Sequence, residues 1–343
     1  MIRLTAFEYL LCGPDTRIRE ALSRLNNEHS HVFQIVIDSD RRVIGTVTDG
    51  DVRRAMLKEI TLEDSVDKCM NETPIVGRPD EISANRDKLR AAGFLPIVDT
   101  DGRIQQLLIQ ARARLVSRAL VMAGGFGKRL GAQTRDIPKP LLPVGERPIL
   151  DRLLAQLEDC GVEAITLAVH YRAEQIEAFV AARRNRAEIT FIREREPLGT
   201  AGALTLMPDA EDETTIVVNG DVVSQVDFAH LRSFHAEHDH DGTVAISRYD
   251  VQIPFGVLQL GEDGLFSGID EKPTRSYFIA AGIYMLSPEF VALTPHGRAV
   301  DMPELLEIGR RESLRVGLFP LHEYWRDVGQ PDDLAMANAE NGS

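Results

Sequence analysis

Two places in this chain carry residue types that could handle phosphate and a divalent cation. The first is an apolar run, Ala119–Ala123, that leads directly into Gly124-Gly125-Phe126-Gly127-Lys128-Arg129-Leu130. A glycine-rich turn behind a buried strand lets backbone N–H groups approach phosphate oxygens. Two familiar readings of such a loop fail. A dinucleotide-binding GxGxxG started at Gly125 meets Leu130 where its third glycine belongs. A Walker A loop aligned on Gly127-Lys128 meets Met122 at its first glycine and Arg129 where Ser or Thr is required. The second place is Asp221, which follows the apolar run Ile216–Val218. A carboxylate there would lie at the carboxyl edge of a sheet, where ligands bind in open α/β folds. Magnesium needs hard oxygen ligands and keeps several waters, so one or two carboxylates suffice. Taken alone, Asp221 is also what a strand-end turn would use.

The continuation decides what the loop is for. Pro138-Lys139-Pro140-Leu141-Leu142-Pro143-Val144-Gly145 follows within ten residues. Then come Glu194-x-x-Pro197-Leu198-Gly199-Thr200-Ala201-Gly202, Asn219-Gly220-Asp221, Glu271-Lys272-Pro273 and Tyr324-Trp325-x-Asp327-Val328-Gly329. In this order and spacing, residues 117–343 resemble the sugar-1-phosphate nucleotidyltransferases. The resemblance implies a Rossmann-like α/β domain with a mostly parallel sheet. It also implies a reaction in which a sugar-1-phosphate oxygen attacks the α-phosphorus of a nucleoside triphosphate and pyrophosphate leaves. Two anions must then meet in line, so catalysis is mostly charge neutralisation and positioning.

By the same resemblance, Arg129 and Lys139 are the catalytic cations, the first a planar clamp on the triphosphate, the second a point charge between the reacting phosphates. Ala123, Gly124, Gly125, Gly127 and Lys128, with Glu194, Gly199 and Thr200, bind the nucleotide. Asp221 and Asp327 hold Mg2+, and Tyr324 and Trp325 are packing residues that hold Asp327. Glu194 and Gly199 lie where the base edge is read. Guanine offers N1–H and N2–H together and a carboxylate can accept both, so GTP is favoured, with the other triphosphates left open. Glu271, Lys272 and Gly282 receive the sugar phosphate. Family members have Asn-Ala-Gly-Ile-Tyr where this chain reads Ala280-Ala281-Gly282-Ile283-Tyr284, which removes an amide and implies a relaxed or unusual sugar.

Alternating strands and amphipathic helices must position these groups. Strands are expected at Ala119–Ala123, Ile165–Val169, Ile189–Ile192 and Thr215–Val218, and helices at Ile149–Leu157 and Glu174–Ala182. That alternation implies a mainly parallel sheet covered on both faces. From Thr243 the pattern turns strand-rich and suggests a second lobe on the same sheet. The N-terminal third reads differently. Val36-Ile37-Asp38-Ser39-Asp40-Arg41-Arg42-Val43 recurs 61 residues on as Ile97-Val98-Asp99-Thr100-Asp101-Gly102-Arg103-Ile104, each copy a strand–turn–strand signal. Ile18, Ala21, Leu22 and Leu25 precede the first copy at helical spacing, and Val52 to Leu57 follows it as another short helix. With Gly45-Thr46-Val47-Thr48-Asp49-Gly50-Asp51 and Met70-Asn71-Glu72-Thr73-Pro74, residues 1–115 resemble a tandem CBS-domain pair of α+β type, a regulatory or assembly module. The resemblance implies an adenine nucleotide at Thr48 and Asp51; the alternative is a Thr–Asp turn with no ligand. The equivalent positions in the second repeat are Ile109 and Arg112, so at most one such site survives. Ala111 to Arg118 forms a basic connector between the domains.

The chain has 343 residues, 39 Lys+Arg against 53 Asp+Glu and a formal net charge of −14. That length fits about two domains, and the charge argues against a nucleic-acid partner. The longest stretch free of Asp, Glu, Lys and Arg, Ser276–Pro288, is 13 residues, short of the ~20 a membrane span needs. Met1 to Cys12 has no signal-peptide core. Cys12, Cys69 and Cys160 form neither a disulfide framework nor a zinc site, so a reducing cytoplasm is expected. His235-Ala236-Glu237-His238-Asp239-His240 looks like a metal tract but is read as a solvated helix end. A CBS pair ahead of a transferase resembles the glucosamine-1-phosphate guanylyltransferases of bacterial legionaminic acid synthesis, which puts GDP-glucosamine first as product. Mannose- or heptose-1-phosphate guanylylation, uridylyl or thymidylyl transfer, and a catalytically silent nucleotide sensor are the rivals. A homo-oligomer is expected.

Overall fold

The computed structural model describes residues 2–4, 7–27, 33–110, 118–208 and 213–341. The basic connector expected at Ala111–Arg118, Arg118 apart, lies outside the described residues, as does Arg112. The chain divides into two compact units, Met1–Arg114 and Leu115–Ser343.

The first unit is a duplication. Strand Phe33–Ile37 pairs antiparallel with Val43–Thr48, and Phe94–Val98 pairs in the same way with Ile104–Ile109. Phe33 faces Thr48, and their counterparts 61 residues on, Phe94 and Ile109, face each other. The two turns bond reciprocally. Val43 N–H donates to Gly102 O (3.0 Å) while Ile104 N–H donates to Arg41 O (3.1 Å). Arg42 Nε donates to Asp101 O and Arg103 Nε to Asp40 O, both 3.2 Å. The equivalent rings of Phe33 and Phe94 stack with centroids 3.8 Å apart. Reciprocal contacts between equivalent residues are what a local twofold axis produces. Helix Ile18–Asn27 precedes the first hairpin, Asp49–Met56 follows it, and Ile82–Ala92 precedes the second.

The second unit is built on a seven-stranded sheet. Its order is Glu188–Arg193, Ala164–Val169, Arg118–Met122, Thr215–Asn219, Thr274–Leu286, Gly242–Gln252, Val316–Pro320. The first four run parallel; Thr274–Leu286 lies antiparallel to both its neighbours, and Gly242–Gln252 and Val316–Pro320 are again parallel. Alternate residues of one strand supply opposite faces: Ala119 and Val121 enter one core cluster, Leu120 the other, as the period of 2 dictates. Helix Ile149–Asp159 buries Ile149, Leu150, Leu153, Leu154 and Leu157 at helical spacing. Its Glu158 receives Arg183 through both oxygens (2.9 and 2.8 Å) and the amides of Arg186 and Ala187. Burial pushes that carboxyl up, but Arg183 and the two amides outweigh it and hold it at about 2.

The strand-rich segment after Thr243 joins this sheet and then outruns it. Past Ile246, strands Gly242–Gln252 and Thr274–Leu286 pair with each other down to Gln252 opposite Thr274. The ladder continues through Ile253 N–H to Pro273 O (2.9 Å) and Lys272 N–H to Phe255 O (3.3 Å). It passes into the hairpin Gly256–Leu260 with Phe266–Glu271. The product is one long two-stranded ribbon.

The histidine tract does end a helix, Phe228–Glu237, and Ala236, Glu237 and Asp239 are exposed, but it is not solvated throughout. His235 is buried in helix Phe228–Glu237, with Nδ1 2.9 Å from Thr243 Oγ1, and the rings of Phe234, His238 and His240 pack beside it. His235 leaves solvent because the chain turns back here to start strand Gly242–Gln252, which brings Thr243 onto it. Burial, with nearby His240, pushes the His235 imidazole down to about 4. A base whose folded pKa lies below its ordinary 6.5 is neutral when folded and takes a proton when unfolded. Its contribution to stability is therefore present above pH 6.5 and is lost as pH falls toward 4, in total about 3 kcal/mol. Thermal unfolding from pH 7 to 4 should show this loss in the native chain and a shallower one in His235→Gln.

Candidate functional site

The four parallel strands run the same way, so their carboxyl ends open at one edge, and the predicted residues collect there. Arg118–Met122 feeds the glycine loop, Ala164–Val169 feeds His170 and Tyr171, Glu188–Arg193 feeds Glu194, and Thr215–Asn219 feeds Asp221. From Arg118–Met122 the sheet grows outward through Ala164–Val169 and Glu188–Arg193 on one side, then resumes with Thr215–Asn219 on the other, which makes this a topological switch point. Ala123 is buried and its N–H donates to Ala168 O at 2.8 Å. Gly124 leaves little room for a side chain: a Cβ would stand 3.2 Å from His170 Cβ and 3.3 Å from Glu194 Oε2. Gly125 is exposed. Gly127 has φ +61° and starts a 3-10 turn, Lys128–Thr134, whose Thr134 Oγ1 donates back to Gly127 O (2.9 Å). Lys128 is exposed with its ammonium 5.2 Å from the centroid of the Phe126 ring. Arg129 is exposed too, and Nη1 lies 3.6 Å from where a Cβ on Gly329 would stand, close to Asp327.

The charged centre is Lys139 with Asp221 and Asp327. Lys139 is 6% exposed; its Nζ hydrogen-bonds Asp221 Oδ2 and lies 3.7 Å from Asp327 Oδ1. The two aspartates meet because Val222–Ser224 and Trp325–Asp327 pair antiparallel with Val222 opposite Asp327, while Val328 N–H donates to Asp221 O (3.3 Å). Trp325 does hold this element, its Nε1–H donating to Ala281 O at 2.8 Å. Burial and the neighbouring Asp221 push the Asp327 carboxyl up; Lys139 and Arg129 pull it partly back. Asp327 Oδ1 is buried without a hydrogen-bond partner. An orphaned hard oxygen beside a second carboxylate fits Mg2+, which completes its shell with water and phosphate. Among the described residues no cluster of three or more His, Cys, Asp and Glu is placed to hold a metal.

Glu194 is half-buried, and burial pushes its carboxyl up against a Leu198 amide that lowers it. Its Oε1 is buried and unpartnered, as is Asn219 Oδ1. A buried polar atom left without a partner is unusual in a folded protein, and these three oxygens all lie at the strands' carboxyl edge. Asn219 had been quoted in the sequence only as part of a motif. It sits beside Gly282 (φ +72°), where a Cβ would stand 2.7 Å from Asn219 Nδ2. Glu271 and Lys272 lie on the exposed ribbon, with Glu271 Oε2 abutting Gly256.

Thr200 is committed to a structural bond that sequence reasoning missed. Its hydroxyl accepts from Met302 N–H (2.8 Å) and so caps helix Met302–Arg311, while Asp301 Oδ1 accepts from Thr200 N–H (3.0 Å). Around this exchange, Val300 N–H donates to Leu198 O, and Ala201 and Gly202 N–H donate to Val300 O. Gly199 (φ +79°) lies against Val300 O, 2.5 Å from any Cβ. The signal available for Asp301 was an N-cap residue two positions before Pro303. Replacing Asp301 by Leu removes the acceptor, so hydrogen exchange by mass spectrometry should show the amides of residues 198–202 exchanging about tenfold faster. Asp301→Asn keeps an acceptor oxygen and should leave them protected.

In the first unit, Thr48 and Asp51 form a reciprocal capping box on helix Asp49–Met56. Thr48 Oγ1 accepts from Asp51 N–H (3.1 Å) and Asp51 Oδ2 from Thr48 N–H (2.8 Å). Arg54 pairs with the same carboxylate. These residues, with Thr46, Asn71, Ile75, Ala92 and Phe94, line a cleft of about 510 Å³.

Known proteins share both parts of this chain. The nucleotidyl transferase family pattern matches residues 118–342, and the CBS domain pattern matches residues 6–58. The mannose-1-phosphate guanylyltransferase catalytic subunit beta of Drosophila melanogaster is 35% identical over 226 residues, 64% of this chain and 61% of that protein. The mannose-1-phosphate guanyltransferase of Schizosaccharomyces pombe is likewise 35% identical, over 63% of this chain and 62% of that one. The chain thus spans less than two thirds of the length of these relatives. The crystal structure of HddC from Yersinia pseudotuberculosis complexed with GMP-PN matches with a TM-score of 0.51 and 27% identity, over 66% of this chain and 99% of that chain. A putative glucose-1-phosphate thymidylyltransferase from Bacillus anthracis shares the fold, at a TM-score of 0.54 and 22% identity over 66% of this chain and 96% of that one. Matched over more than half its length, the chain belongs to the nucleotidyl transferase family and carries a CBS domain ahead of the transferase domain.

Proposed function

We propose that the second unit is a sugar-1-phosphate guanylyltransferase, joining GMP from GTP to a hexose 1-phosphate with release of pyrophosphate. One observation carries the choice of base: the Glu194 carboxylate stands beside Gly124 with Oε1 buried and unpartnered. Burial disfavours its ionised form, so a ligand offering two adjacent N–H donors, as guanine does, would satisfy it; uracil and thymine offer one. The guanylyl-transferring relatives support the same reading. The acceptor they name is mannose 1-phosphate, which now stands beside glucosamine 1-phosphate as the sugar to test.

In this reading the sugar-phosphate oxygen forms a bond to the α-phosphorus as the bond to the β-phosphate oxygen breaks. The loop amides from Gly124 to Gly127 and the Arg129 fork bind the triphosphate. Lys139, held in place by Asp221, presents its ammonium where the two phosphates approach and offsets their repulsion. Asp221 and Asp327 would hold Mg2+, which when bound neutralises phosphate charge. Glu271 and Lys272 take the sugar phosphate from the ribbon.

Common nucleoside triphosphates assayed against a panel of sugar 1-phosphates for pyrophosphate release should show GTP preferred. Glu194→Gln should lower kcat/KM for GTP roughly tenfold to a hundredfold while narrowing the gap to UTP and dTTP. No release from any pair would leave the nucleotide sensor as the reading.

The cleft of the first unit is proposed to take an adenine nucleotide. Its volume is in the range of small-molecule sites, Ile75, Ala92 and Phe94 offer an apolar wall, and Arg54 offers a cation for phosphate. Because Asp51 already serves the capping box and Arg54, a nucleotide must draw Arg54 away to reach the carboxylate. Calorimetry with ATP, ADP and AMP should show binding, weakened by Arg54→Ala. Absence of heat with all three would leave assembly as the unit's role.

A further inference from the structure

Glu194 stands at the end of Glu188–Arg193, the outermost strand on its side of the seven-stranded sheet, whose one strand neighbour is Ala164–Val169. The backbone of Glu194 is therefore held by what that neighbour supplies. The two strands keep register to the pair Val169 and Arg193, and Glu194 N–H then donates to Val169 O at 2.9 Å. In a regular parallel ladder the carbonyl of Glu194 would next accept from the N–H of Tyr171. Instead, Tyr171 N–H turns to Gly124 O, at 3.4 Å, where the glycine loop leaves its strand. A side chain remakes the bond that Tyr171 gives up: His170 Nδ1 lies 2.8 Å from Glu194 O. A carbonyl oxygen only accepts, so Nδ1 carries the hydrogen and donates. The same histidine closes on the loop. Its Cβ and Glu194 Oε2 stand 3.2 and 3.3 Å from where a Cβ on Gly124 would be, and the Phe126 ring meets the imidazole edge-on, with centroids 5.4 Å apart. Burial pushes the Glu194 carboxyl up, while the Leu198 amide and His170 draw it down.

We propose that His170 is the positioning residue for base recognition: its Nδ1–H bond to Glu194 O fixes the Glu194 carboxylate beside the glycine loop and so sets which base the site prefers. The proposal deepens the guanylyltransferase reading and rests on it for the role of Glu194. Two adjacent N–H donors are met by one carboxylate only when both its oxygens are held in the plane of the base. A Glu194 loosened at a sheet edge therefore costs guanine more than it costs a base with a single donor. His170 also accounts for how one strand end serves two clients. Its backbone neighbour Tyr171 holds the loop through Gly124, and its own ring holds the base reader. Two substitutions separate the bond from the bulk. His170→Phe keeps a ring against Phe126 and removes the donor. His170→Asn keeps an N–H at the Nδ1 position and gives up most of the ring.

Calorimetric titration of the full chain with GTP, UTP, CTP and dTTP, each with Mg2+ and no sugar phosphate, should show GTP bound most tightly. His170→Phe should weaken GTP roughly tenfold, the scale of one well-made hydrogen bond, and UTP by no more than about twofold. His170→Asn should restore the native ratio. Because His170 acts through Glu194, adding His170→Phe to Glu194→Ala should change GTP affinity by less than about twofold. The proposal is overturned if His170→Phe keeps the native preference, if His170→Asn is as impaired as His170→Phe, or if the full cost persists without the Glu194 side chain. Should the native chain prefer another of the four, the guanine reading falls and His170 is judged on that base. Loss of the preference in His170→Phe and its return in His170→Asn then support the proposal, and an unchanged preference overturns it. Binding of none of the four overturns both.

Discussion

A buried ammonium between two carboxylates is the constraint from which the transferase unit can be understood. Lys139 lies almost wholly out of solvent, where an unpaired cation would cost several kcal/mol. Asp221 and Asp327 make its burial tolerable. Lys139 in turn allows two like charges to stand close together at the same edge. Each member is delivered by a different part of the chain, so the trio forms only if three separate segments arrive in register. The short pair Val222–Ser224 with Trp325–Asp327 is the most exacting of these. A slip of one residue would bring Arg326 opposite Val222 and turn the carboxylate to the other face.

The surrounding loops follow from the same need for close approach. Gly124 allows Glu194 to close over the loop, Gly282 allows the Asn219 amide to reach the strand beside it, and Gly199 lies against a backbone carbonyl. At Gly199 and Gly282 a Cβ would stand where a neighbour already is, and at Gly124 it would crowd His170 and Glu194 by a few tenths of an ångström. The exchange between Thr200 and Asp301 then fastens the Gly199 loop to helix Met302–Arg311. Without it, a loop held largely by two carbonyls would have to supply a fixed edge for the base.

Much of this was legible in the chain because the relevant signals are local. The strand feeding Gly124–Gly127 and the strand ending at Asp221 announce themselves by apolar runs and turn residues. Asp327 needed its motif, since nothing near it in sequence reveals that Val222 is its neighbour. What escaped reading was long-range or reciprocal. Asp301 lies about a hundred residues from Thr200 and resembles any N-cap. His235 is polar in a tract of polar residues, and only the return of the chain to Thr243 buries it. Thr48 and Asp51 fit both a nucleotide site and a capping box at the same spacing. The geometry fills the second role, and the cleft beside it keeps the first in play.

The ends of the proposed substrate site also differ in mechanical support. The glycine loop follows the buried strand Arg118–Met122, whereas Glu194 follows Glu188–Arg193 at the margin of the seven-stranded sheet. Glu271 and Lys272 sit on a ribbon backed by no sheet of its own, so the edge they offer a sugar is only as fixed as whatever covers that ribbon. Under the proposed function, such an enzyme would read its nucleotide with the domain's sheet and its sugar with an appendage. The appendage can change sequence and length without disturbing Lys139, Asp221 or Asp327.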